Sequence, residues 1–371
     1  MKNVARILLI IFFTFLFSPS ASAVESNIDK YDEEFDYSVI TDSLTDEAAE
    51  LLAEIGITEI SYESIFGVSF QKVFDAFLNV FTKAFFIPFK ATAYSVGILL
   101  LTSIAESFCN DDKTVSFVGG SALSLGLAVP LATTVSTAFS VLEALFLFTT
   151  AFSGVFSAIV SASGNVSAGV TYAAAATFAN TFFSGLLTNM SDPVVSLMCG
   201  LGFLSCFDIY NVSQRLSQLI KKAYVFVLSI TGTAFSGIVT LKGVLSNSVD
   251  TLSSRSVRFV LGQSLPIVGG AVSETYSSVL LSLGLIKNTV GVFGIITVII
   301  FVAPTLIELL IWSFCLEIIS FFAQAFGTEK ICGLTDIFKS AVTLLSSTII
   351  ILTTIFIVCV GVCIAVRSGG I

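Results

Sequence analysis

The sequence predicts an all-α protein, a polytopic bundle of transmembrane helices behind a short exported segment. Three observations carry that prediction. Mean hydropathy is +0.98 over 371 residues, of which 55% are hydrophobic and only 12% charged; soluble domains carry roughly a quarter charged residues. The apolar residues gather into runs of about 20, the length that crosses a ~30 Å hydrocarbon layer as a helix. Half of the acidic residues lie in one stretch near the N-terminus, outside those runs.

Residues 1–23 read as a signal peptide. Lys2 and Arg6 make a positive start, Ile7 to Phe17 is apolar but too short to span, and Ala21-Ser22-Ala23 is a small-x-small cleavage site. Residues 24–68 then form an acidic extracytoplasmic segment. Val24 to Glu63 holds 13 of the 26 acidic residues against one base, Lys30. Such a segment is not drawn to anionic lipid and points away from the membrane surface. It also makes nucleic acid an unsuitable partner.

Within that segment Ser43 to Gly56 has helix signals: Ser43 as a cap, Asp46, Glu47 and Glu50 in the first turns, and Gly56 at the end. Leu44, Ala48, Leu51, Leu52 and Ile55 share a face that needs something to pack on. Residues 69–86 form an amphipathic helix. Phe70, Val73, Phe74, Phe77, Phe81, Ala84 and Phe85 fall on one side, with Lys72, Asp75, Asn79, Thr82 and Lys83 on the other. An aromatic face opposite charges suits the membrane interface; packing on the chain's own surface is the alternative.

Residues 87–371 form the multi-span domain. Apolar segments occupy 86–105, 115–135, 137–161, 168–187, 193–210, 223–241, 257–285, 289–314 and 340–366, for an expected count of about 7–9 spans, one of them broken or re-entrant. If the first span enters from outside, Arg215, Lys221 and Lys222 fall in the cytoplasm, as the positive-inside rule asks. Lys287 and Arg367 join them if 257–285 crosses fully, which leaves Arg255 and Arg258 outside. Two echoes, TAFSG at 150–154 and 233–237 and a lone glutamate in SVLEALF and PTLIELLI, hint at duplicated halves of the kind transporters use.

The chain contains no histidine, and its seven cysteines fall mostly inside apolar runs with no CxxC pair. No metal or cofactor site is expected, and no histidine-based triad or general base is possible. The chain is therefore read as a non-enzyme. Glu143, Glu308 and Glu317 are the ionisable groups deepest in apolar context. Each should face other helices or water, as a polar lining or as an interhelical hydrogen bond. Glu308 and Glu317 lie nine residues apart, on opposite faces of one helix. Gly154, Ala158 and Ala162, and the pairs Ala175–Ala179 and Ala176–Asn180, have the small-xxx-small spacing of close helix packing.

The segment 257–285 carries Arg258, then Pro266, then Gly269-Gly270. Proline removes a donor and the glycines add backbone freedom, so a break is expected there, either at a working site or at the interface. This block, SVRFVLGQSLPIVGGAVSET, with LIKNTVGVFGIITV, PTLIELLIWSF and VLSITGTAFSGIVTLKGVLSNSVDTLSSRSVRF, closely resembles the stage III sporulation protein AE family of endospore-forming Firmicutes. The resemblance spans nearly the whole chain. It implies an integral component of the mother-cell half of a trans-envelope assembly around the engulfed forespore, a channel or feeding tube that sustains late forespore gene expression. Its implied partners are ring-forming proteins of the same operon, a cytoplasmic ATPase, a forespore membrane protein and the lipid bilayer. The implied location is the multi-pass mother-cell membrane surrounding the forespore, with residues from Val24 facing the intermembrane space. A stand-alone secondary transporter for a small solute is the competing reading, and it requires glutamates that converge near mid-membrane.

Overall fold

The computed structural model describes residues 36–108, 112–186, 192–205, 212–230, 232–235, 237, 256–257, 269–327 and 329–365, and every regular element among them is helical. The expected signal peptide at 1–23, Arg258 and Pro266 lie outside the described residues.

Three short helices come first: α1 (Ser38–Thr41), α2 (Asp46–Ile55) and α3 (Tyr62–Phe66). α2 is the helix expected between Ser43 and Gly56, with a different cap. The Thr45 side chain accepts from the Ala48 N–H at 3.3 Å, whereas the Ser43 hydroxyl donates back to the Ile40 carbonyl. Asp46 and Glu47 occupy the first turn, at the positive end of the helix dipole. Ala48, Leu52 and Ile55 are buried, and α2 packs on the two longer helices α4 (Phe70–Phe108) and α9 (Gly269–Ala325). That contact supplies the tertiary support a ten-residue helix lacks alone.

α4 does not stop at residue 86. It runs from the amphipathic stretch into the first apolar segment with Pro88 inside it. The Thr92 hydroxyl donates to the Pro88 carbonyl at 2.8 Å. Phe70, Phe74, Phe77 and Phe81 are exposed rather than packed on the chain's own surface. Their rings continue as a stack along the helix, Phe77–Phe81 at 6.4 Å and Phe81–Phe85 at 6.0 Å.

The expected spans at 115–135 and 137–161 are one helix, α5 (Asp112–Ala162), with Pro130 in its interior. Likewise 269–285 and 289–314 fuse into α9, with Pro304 inside and Gly269-Gly270 at its first turn instead of at a mid-segment break. Prolines and glycines read from sequence as interruptions, yet helices packed among other helices accommodate them when neighbouring hydroxyls satisfy the freed backbone. The remaining helices are α6 (Val166–Leu186), α7 (Asp192–Leu204), α8 (212–230) and α10 (Glu329–Ala365). Among the described residues four helices are long and apolar enough to cross a membrane: Phe70–Phe108, Thr114–Ala162, Tyr276–Ala325 and Cys332–Ala365. Fusion accounts for two of the segments expected separately; 168–187 and 193–210 correspond to the shorter helices α6 and α7, and 223–241 is described only in part.

α9 and α10 form an antiparallel hairpin closed at Gly327, whose φ of +76° is a left-handed conformation that glycine adopts without strain. α5 runs antiparallel to both α4 and α9. Gly126 of α5 lies against Tyr94 of α4, and Phe148 of α5 meets Phe301 of α9 at 5.8 Å. α6 folds back along α5, and α8 lies parallel to α10, with the Tyr224 and Thr348 hydroxyls 3.1 Å apart.

The centre of the bundle is aromatic. Phe148, Phe152 and Phe156 are fully buried one turn apart on α5. Phe152 stacks on Phe156 at 5.1 Å and meets Phe356 of α10 edge-on at 5.5 Å, and Tyr172 of α6 meets Phe156 edge-on. Such ring pairs contribute about 0.5–1.5 kcal/mol each beyond area burial. A Cβ on Gly294 of α9 would lie 2.3 Å from the Phe152 ring, so only glycine permits this approach. Substituting Gly294→Leu is expected to destabilise the bundle by about 1–3 kcal/mol, the usual overpacking penalty. Thermal unfolding in detergent checks this, and Phe152→Ala added to Gly294→Leu should recover part of the loss; no recovery would separate the glycine from the ring.

Candidate functional site

Three side chains meet where α5 crosses α9. Glu308 and Trp312 lie one turn apart on α9 and both reach Thr134 of α5. Trp312 Nε1–H donates to Thr134 Oγ1 at 2.9 Å, and Thr134 Oγ1–H donates to Glu308 Oε1 at 2.6 Å. The Pro130 carbonyl is a longer alternative acceptor at 3.2 Å. A hydroxyl has one proton, and the shorter contact is the one to Glu308. Trp312 and Thr134 are buried and Glu308 is half-buried. Of the two roles open to Glu308, the structure gives it the interhelical hydrogen bond.

The same local pattern places a polar group four residues after each proline inside a long helix: Thr92 after Pro88, Thr134 after Pro130, Glu308 after Pro304. Thr92 and Thr134 bond back to their prolines' carbonyls, and Thr92 shares a side-chain hydrogen bond with Cys315 of α9. Thus α4 and α5 both deliver hydroxyls to residues 308–315 of α9. The repeated Pro-x-x-x-polar spacing was legible in the sequence, although the meeting of the three groups was not.

The other expected residues are scattered. Glu143 is exposed on α5, nine residues beyond Thr134, about 13 Å along the helix, so it and Glu308 do not converge. Glu317 pairs with Lys339 of α10, but both are substantially exposed at 62% and 36%, and such pairs contribute little. Close by, Gln214 of α8 donates to Asp336 of α10 at 3.0 Å. Lys221, also on α8, has its pKa pressed below the usual lysine value by burial and then by the Lys339 ammonium. Of the small-residue stripes, Ala176, Ala179 and Asn180 of α6 pack towards α5 and α10. Gly154, Ala158 and Ala162 are instead exposed.

In the sequence Lys287 falls between the apolar segments 257–285 and 289–314. It lies inside α9 and is 1% exposed, within electrostatic reach of Cys363 on α10. Nearby, Tyr172, Cys359, Thr149 and Asn180 line a cavity of about 30 Å³ between α5, α6 and α10. That is room enough for an ordered water. Thr149 and Thr150 each hydrogen-bond Asn180, at 3.0 and 2.7 Å.

A family model described as Stage III sporulation protein AE matches residues 53–367, from the end of α2 to beyond α10. The Stage III sporulation protein AE of Bacillus subtilis (strain 168) is 25% identical over 175 residues, an alignment that covers 47% of this chain and 44% of that protein. The aligned part is thus less than half the length of that relative. No solved structure matches.

Thr134 is the hinge of the buried junction, so Thr134→Val leaves the Trp312 N–H and the Glu308 carboxylate without their shared partner. The expected loss is about 1–3 kcal/mol, the penalty for stranding buried polar groups. Trp312 is the chain's one tryptophan, so its emission reports the site directly. Thr134→Val should shift that emission and lower the denaturation midpoint, while Glu308→Gln, which keeps an acceptor, should change both much less.

Proposed function

Since the chain belongs to the stage III sporulation protein AE family, we propose that it is an integral membrane subunit on the mother-cell side of the channel linking mother cell and engulfed forespore, required for late forespore gene expression and spore formation. The observation that carries this reading is the family match over residues 53–367, which takes in all four long apolar helices. In this reading the membrane domain sits in the mother-cell membrane surrounding the forespore. The acidic segment 24–68 faces the intermembrane space, with residues 1–23 removed as a signal peptide. Its partners are ring-forming subunits of the same operon, a cytoplasmic ATPase and a forespore membrane protein. Its role is to build and shape a conduit, without catalysis of its own.

A self-sufficient transporter is less well supported, because its carboxylates should share a cavity. Glu308 is engaged by Thr134 and Trp312, and Glu143 lies exposed farther along α5.

Deleting the gene in its source organism and following a reporter of late forespore transcription tests the proposal. The expected outcome is complete engulfment with a dark reporter, restored by a copy expressed only in the mother cell. Normal reporter activity and normal spores would overturn the sporulation-channel reading.

A further inference from the structure

One exposed face of α5 changes character along its length. Near the helix start it presents Phe117, Val118, Leu125 and Val129, which suit acyl chains. Then, at successive three- and four-residue steps, it presents Thr133, Ser136, Thr137, Ser140 and Glu143, all exposed. Beyond Glu143 the face turns apolar again at Leu147. The polar stretch rises about 15 Å along the helix axis.

Its depth follows from the neighbours of α5. On α9 the helix long and apolar enough to cross a membrane runs Tyr276–Ala325, with its middle about 25 residues in, near residue 300. Thr134 meets Glu308 and Trp312, and Phe148 meets Phe301. Glu143 lies between those two positions on α5, level with the middle of that apolar stretch. The exposed stripe is therefore central, not at a membrane edge.

The hydroxyl protons of Thr133, Thr137 and Ser140 are taken by carbonyls of the preceding turn, at 3.1 Å in each case. What the stripe offers outward is acceptor oxygen, ending in a carboxylate that makes no ion pair among the described residues. A carboxylate at mid-depth faces water or a protein interior in preference to lipid. Back-bonded hydroxyls alone are tolerated against lipid, so Glu143 is the residue that decides between the two.

We infer that the Thr133–Glu143 stripe of α5 lines the mid-membrane part of a water-filled path, one that admits hydrated cations and neutral polar solutes and disfavours anions. The inference deepens the channel reading given above and rests on it for what travels along the path; the aqueous character of the stripe is measured separately. Carbonyl and hydroxyl acceptors replace part of a hydration shell, and a ring or row of carboxylates selects for positive charge.

The test uses single cysteines in the full-length chain, in membrane vesicles of both orientations. Ser136→Cys and Ser140→Cys probe the stripe, and Leu125→Cys and Leu310→Cys probe apolar exposed faces of α5 and α9. The probes are a trimethylammonium methanethiosulfonate and its sulfonate counterpart, with labelled peptides read by mass spectrometry so that the native cysteines act as internal controls. Only a thiolate reacts, so a thiol in apolar surroundings whose pKa is raised by one unit reacts about tenfold more slowly. The stripe cysteines should exceed the two controls by at least that factor and prefer the cationic probe. Adding Glu143→Gln should reduce that preference by roughly three- to fivefold, the effect of one charge at helix-turn distance in watery surroundings. Stripe cysteines as slow as the controls would mean lipid or another chain covers the face, and the inference fails. Fast labelling with a charge preference that Glu143→Gln leaves unchanged would remove Glu143 from the path and overturn the selectivity. Because wild-type and variant chains are also scored for sporulation, failure here with intact late forespore transcription leaves the sporulation role standing.

Discussion

The close approach of α5 and α9 is the contact on which the rest of the bundle depends. In a bilayer the lipid tails are as apolar as the side chains, so helices gain little from hiding from solvent and must fit by shape. Here the fit is a ring in a notch: Phe152 occupies the space above Gly294, and Phe156 lies beside Gly291. Those rings then present their edges and faces to Phe356 of α10 and Tyr172 of α6. The notch also fixes the register of α5 along α9. Sliding one helix past the other by a turn would move Thr134 about 5 Å away from Trp312 and Glu308, so the polar junction exists only because the aromatic one holds its position.

Much of the fold was legible in the sequence, and the failures have physical causes. Helicity and membrane character followed from apolar run length, and α2 followed from its acidic first turn, its apolar face and Gly56. The fused helices did not. Pro130 and Gly269-Gly270 are breakers in a soluble context, and no local rule says when neighbours will satisfy the backbone that a proline frees. Lys287 looked like a boundary because lysines mark boundaries far more often than interiors. Glu308 stands in apolar sequence, but the hydroxyl that bonds it is contributed by a helix 174 residues away in sequence, and spacing within one helix carries no trace of it. Glu143 and Glu308, which look equivalent in their echoing segments, differ because one face of α5 is covered by α9 and the other is not.

The polar groups of this chain fall into two arrangements. Most serines and threonines on the long helices bond to a carbonyl of the preceding turn, as Ser95, Thr102 and Ser346 do. This satisfies them without any partner helix and leaves packing free to follow shape. A few instead bridge helices: Thr134 to Glu308, Tyr224 to Thr348, Gln214 to Asp336. Such bridges, with those from Thr149 and Thr150 to Asn180, add directional constraint to contacts that steric fit alone would leave tolerant of rotation.

α5 and α9 contain 51 and 57 residues as unbroken helices, which makes them about 77 and 86 Å long. A membrane with its headgroups is only about 40–45 Å thick. Each helix is therefore steeply inclined across the bilayer or extends past the lipid, and because it is so long, a small rotation at the ring-and-notch contact becomes a displacement of many ångströms at its far tip.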